Sequence, residues 1–122
     1  VPDQVSPFAE WETLRAQIVP FIGERALSLF AFAIFDEANG FEGAAYFREF
    51  LAESGTVVED AQVTETEALL ISWGRLVAAD AGAIPVDRQE QFERAFTPYL
   101  RDLLTRFAAL TVATAIEEQA RG

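Results

Sequence analysis

Residues 26–35 carry no charge and a single polar side chain, that of Ser28. No other feature of the chain restricts its fold as much. The run is too short to cross a bilayer, which takes ~18 or more apolar residues. Ala26, Leu27, Leu29, Phe30, Phe32, Ile34 and Phe35 fall on nearly every side of a helix rather than along one stripe. A helix of that kind must be covered all round. The spacing predicts a central helix over about 23–38, with other helices packed against it. Asn39-Gly40 follows, a pair suited to left-handed backbone and so to ending a helix.

Helical spacing persists nearly everywhere else. Ser6 reads as an N-cap with Pro7 at the first helical position, opening a helix over 7–19. Phe8, Trp11, Leu14 and Ile18 share its inner face, and Pro20 is expected to interrupt it. A third helix over about 41–54 turns Ala44, Phe47, Phe50 and Leu51 inward and closes at Gly55. Residues 56–63 read as a loop. Thr64 with Glu67 forms a capping box for a helix over 65–80, which buries Leu69, Leu70, Trp73, Leu76 and Val77. Pro85 bars its continuation. Asp87 with Glu90 repeats the capping logic for a short helix to about residue 95. Thr97-Pro98 starts the last helix, which runs to about Gln119 with Leu100, Leu103, Leu104, Phe107 and Thr111 inward. The expected fold is all-α, with about six helices in a single domain over 1–122. At 122 residues the chain can bury roughly two thirds of its unfolded surface without disulfide or metal staples.

Composition then removes whole classes of function. The chain lacks Cys, His, Lys and Met, so all nine basic residues are Arg. There is no thiol nucleophile or thiolate metal site, no His base and no Schiff-base lysine. No metal site and no cofactor are expected. Asp and Glu total 20, giving a net charge of −11. Such a surface repels nucleic-acid phosphates and anionic membranes. Hydrophobic residues make up 51 % of the chain, more than one small core consumes, and self-association would use the surplus. A cytoplasmic, bacterial setting is the expectation.

Carboxylates remain as candidate chemistry. Glu49 and Glu53 share a helix face, where a hard cation could sit, but a solvated acidic face is the expected reading. Glu65 and Glu67 are accounted for by the first turn of their helix. The serines have no His to activate them, and Ser28 and Ser72 are expected to bond to backbone. Gly40-Phe41-Glu42-Gly43 is too short to cradle a phosphate. Tyr46 and Tyr99 read as amphipathic packing residues. Arg48 and Arg75 each read as an anion contact or as a salt bridge to an exposed acid.

From about residue 23 to residue 116, the pattern resembles the alkylhydroperoxidase D / carboxymuconolactone decarboxylase family, which is all-α and oligomeric. In its peroxidase branch an apolar helix ends in Asn-Gly and runs into Cys-x-x-Cys, with a His four residues after the second Cys and a Glu twelve before the first. Here Asn39-Gly40 is kept, but Phe41 and Ala44 stand where the cysteines would be. Arg48 stands in the place of the His and Leu29 in that of the Glu. The stretch 63–76, the short helix from Asp87 and the long final helix are similar to the family's later elements. Thr111 and Thr114 hold the places of two Asn. The resemblance implies the scaffold and an oligomer without the peroxidase chemistry, and no catalytic residue.

Three readings of function fit these residues. The first is a non-redox, homo-oligomeric relative of that family, with at most a pocket at Leu29, Phe41, Ala44 and Arg48 for a small apolar carboxylate. In that reading Phe41 could instead fill the cavity. The second is an enzyme using Asp or Glu and Tyr alone, which needs a buried acid near Tyr46 or Arg48, with Glu37, Glu42 and Glu49 as candidates. The third is a structural module that pairs with itself or with a partner protein.

Overall fold

The computed structural model describes residues 7–121, with side chains from residue 9. They form six α-helices: α1 (Pro7–Ile22), α2 (Glu24–Glu37), α3 (Phe41–Glu53), α4 (Glu65–Asp80), α5 (Val86–Ala95) and α6 (Pro98–Arg121). A single 3₁₀ turn, Ala81–Ala83, follows α4, and no strand occurs among the described residues. The all-α class read from the sequence is the observed one. The Ser6 cap and the side chain of Phe8 lie outside the described residues.

The apolar run is the axis of the fold. All ten residues from Ala26 to Phe35 are buried, and α2 is contacted by α1, α3, α4 and α6. Fully burying each large side chain contributes roughly 1.5–3 kcal/mol, so four-sided cover is the arrangement that exploits this sequence best. The closest approach is to α4 at Gly74. A Cβ there would lie 3.1–3.2 Å from Ile34 Cγ1, Phe30 Cδ1 and the Phe30 carbonyl oxygen. Gly74 thus lets α4 rest on the backbone of α2. Of the residues expected to be buried on α4 only Leu70 is fully so; Leu69, Trp73, Leu76 and Val77 are half-buried. Leu100, Leu103, Leu104, Phe107 and Thr111 of α6 are all buried as the spacing predicts.

Local signals mostly hold. The Thr64–Glu67 capping box forms in both directions, at 3.1 and 2.9 Å. Thr97 caps α6 by accepting from the Leu100 amide at 3.3 Å. Two expectations fail. The first helix does not stop at Pro20 but continues to Ile22. Proline deprives only the carbonyl of Ala16 of its donor, and Ala16 is exposed, where water can replace the lost bond. The helix ends instead at Gly23, whose φ of 91° breaks the ladder. Nor does Asp87 cap α5. The cap position is Pro85, and the Pro85 carbonyl accepts from the amides of Arg88 and Gln89. Asp87 lies in the first turn, where its charge still favours the dipole.

Candidate functional site

The junction between α2 and α3 is where the resembled family would keep its chemistry. Asn39 takes the left-handed conformation, φ 60°, while Gly40 is ordinary at φ −86°. Gly40 is there for space. A Cβ on it would lie 2.6 Å from Glu118 Oε2, 2.8 Å from the Phe35 ring and 2.9 Å from Ala115 Cβ. Gly43, one turn on, would put a Cβ 2.3 Å from the same ring. Glu118, reaching across from α6, accepts a hydrogen bond from the Gly43 amide at 2.8 Å. A carboxylate so placed satisfies an otherwise unpaired amide in the first turn of α3 and opposes the positive end of its dipole. The Gly-x-x-Gly spacing signals close packing here. Nothing in the sequence named Glu118 as the acid that would use it.

The four positions aligned with the family's relay do not converge. Leu29 is 1 % exposed within α2. Phe41 is 76 % exposed and neither lines an inner cavity nor fills one. It borders an open groove with Asn39, Glu118 and Arg121, which the other three positions do not line. Ala44 is buried in the α2–α3 contact. Arg48 is paired with Glu59 and lies over the Phe32 ring, 5.2 Å from its centroid. Its guanidinium is thus engaged by the protein's own carboxylate rather than held free for a small apolar carboxylate. Thr111 and Thr114 donate to the carbonyls of Phe107 and Leu110 in their own helix, at 2.7 and 2.9 Å.

The acids considered as candidate bases or cation ligands resolve as surface groups. Glu37, Glu42 and Glu49 are all exposed, so no buried base stands near Tyr46 or Arg48 among them. Glu37 and Asp36 share Arg75, at 3.5 and 3.0 Å. Glu53 is exposed beside Glu49. Glu67 is 8 % exposed but fully used, in the capping box and in an ion pair with Arg25 at 3.1 Å. Among the described residues no group of three or more acids is placed to hold a metal ion, and no helix is long and apolar enough to cross a membrane. Ser28, expected to bond to backbone, is buried and its side chain makes no hydrogen bond among the described residues.

What stands out on the surface is a groove of about 500 Å³ between α4, the 3₁₀ turn and α6. Trp73, Val77, Ala81 and Ile84 form one wall, and Thr105, Ala108, Ala109, Val112, Ala113 and Ile116 the other. None of these ten side chains is charged. Trp73 is fixed by stacking on Phe92, with centroids 4.1 Å apart and planes within 3°. Ile116 is 58 % exposed. Ala109 and Ala113, four residues apart, are exposed on the side of α6 away from its core residues, while Ala108 is buried. No family model, curated protein or solved structure matches this chain.

Proposed function

We propose that the chain is a non-redox helical module that works by pairing with a second copy of itself through the α4–α6 groove. The observation that carries this is the groove's neutrality. In a chain of net charge −11, two copies repel each other over most orientations. A face of ten uncharged side chains is where that repulsion is least and apolar burial is greatest. The small residues Ala109 and Ala113 allow a close helix-to-helix approach. Charge at the edge fits the same partner. Arg106 and Glu117 are eleven residues apart, about three turns, and so lie on one edge of α6. In a two-fold antiparallel pair each edge meets itself, which places Arg106 opposite Glu117 of the second copy, twice over. Oligomers are also what the family resemblance implies.

Sedimentation equilibrium across a concentration series tests the pairing. A dimer is expected for the native chain and a monomer for Ala113→Glu. Arg106→Glu alone should weaken the dimer, and adding Glu117→Arg should restore it. A native chain that stays monomeric, or an Ala113→Glu dimer of undiminished affinity, overturns the reading. Peroxide consumption with a dithiol reductant is expected at the no-protein background, and turnover above it would sink the non-redox part.

A further inference from the structure

Asn39 is the single asparagine of the chain, and a glycine follows it. In that pairing an asparagine is least durable. The backbone nitrogen after it can attack the side-chain carbonyl, and glycine, having no side chain, hinders the attack least. The rest of the chain is free of Cys and Met, the other labile side chains. The turn itself accounts for the asparagine. The Asn39 amide donates to the Asp36 carbonyl at 3.3 Å and the Gly40 amide to the Phe35 carbonyl at 2.8 Å, which closes α2 in a Schellman motif. That motif needs left-handed backbone at residue 39, and asparagine is one of the few residues besides glycine that adopt it readily.

The closed fold separates the two reacting groups by environment. Asn39 is exposed, whereas Gly40 is buried. Its nitrogen must shed a proton to act as a nucleophile, and that proton is held by the Phe35 carbonyl, away from solvent. Two neighbours at the end of α6 keep the junction shut. Gln119 donates to the Ala38 carbonyl, and Glu118 accepts from the Gly43 amide. We propose that Asn39 is a modification site protected by the closed bundle, which loses its amide to water when the α2–α3 junction opens and then yields a product the bundle cannot re-admit. In the open junction the Gly40 nitrogen bonds to Asn39 Cγ as the Cγ–Nδ2 bond breaks. Ammonia leaves, carrying the former amide proton of Gly40. Water then opens the cyclic imide. Addition at the side-chain carbonyl gives aspartate, and addition at the main-chain carbonyl gives isoaspartate, whose main chain is longer by one methylene. No oxidant or reductant takes part. Aspartate still accepts the left-handed turn. Isoaspartate shifts Gly40 out of register with the Phe35 carbonyl, at a position where even a Cβ would lie 2.6 Å from Glu118 Oε2 and 2.8 Å from the Phe35 ring.

Incubation of the full chain in mildly alkaline buffer tests this, with and without enough urea to unfold it. Peptide mapping by mass spectrometry, with chromatography to part the two products, follows residue 39. In urea the asparagine is expected to convert to both products, and in native buffer to convert more than about ten-fold more slowly. Glu118→Ala should quicken the reaction several-fold in native buffer and leave the rate in urea unchanged. The isolated isoaspartate chain should show a lower urea midpoint than the native chain, or fail to regain its circular dichroism spectrum. Asn39→Asp, which reproduces the other product, should refold. Equal rates with and without urea, no conversion in urea, an unchanged native rate in Glu118→Ala, or an isoaspartate chain that refolds as stably as the native one overturns the proposal.

Discussion

The two faces of α6 are built on opposite terms. Its inner face ends at a junction so close-fitting that two glycines are needed to admit one phenylalanine ring, and Glu118 ties the remaining amide. Its outer face is uncharged as well, yet Thr105, Ala109, Ala113 and Ile116 on it are left exposed. Hydrophobicity alone does not distinguish the two. Steric fit and the Gly43–Glu118 bond make the first an interior, in which Glu118 Oε2 is buried without a hydrogen bond. Their absence makes the second a surface that another molecule can complete.

Substitutions sharpen the contrast in order of expected effect. Gly43→Ala should be the most damaging, because its Cβ would fall inside contact distance of a ring that α2 holds almost fully buried. A loss of about 1–3 kcal/mol is expected, read from urea unfolding. A neutral result would mean that the junction is loose and that the two faces of α6 differ less than their geometry suggests. Glu118→Ala comes next, at about 1–2 kcal/mol for the lost acceptor and its charge at the α3 N-terminus. Glu118→Gln, which keeps an acceptor, should cost less than the alanine. Ala113→Ser on the outer face should leave monomer stability within about 0.5 kcal/mol, measured at concentrations below self-association. A large loss there would show that the outer face already belongs to the core.

The same contrast explains what was legible in the sequence. Helices, their order and most of their caps are local properties. They follow from the apolar spacing of α2 and α6 and from Thr64, Glu67 and Thr97. The course of α1 past Pro20 was not legible, because it depends on the exposure of Ala16. Phe41 misleads for a related reason. The family resemblance, not the apolar spacing of its helix, is what put it at a pocket. In the fold the N-terminus of α3 meets the Glu118 carboxylate, and Phe41 is left outside. The residues aligned with a catalytic relay share a register with that family's motif but not a common site. Leu29 is buried in α2, Ala44 lies in the α2–α3 contact, and Arg48 is taken up by Glu59. The unpaired Ser28 hydroxyl was equally hidden. A serine in a helix ordinarily bonds back to its own backbone, as Thr111 does here, and only the fold shows that Ser28 does not.

The Gly43–Glu118 hydrogen bond joins positions 75 residues apart. Closing so long a loop is entropically costly and therefore comes late, after contacts between neighbouring helices have begun to offset that cost. The first turn of α3 thus lacks its cap until the final turns of α6 have docked. Protection of one amide against hydrogen exchange, that of Gly43, becomes a timer for completion of the whole bundle.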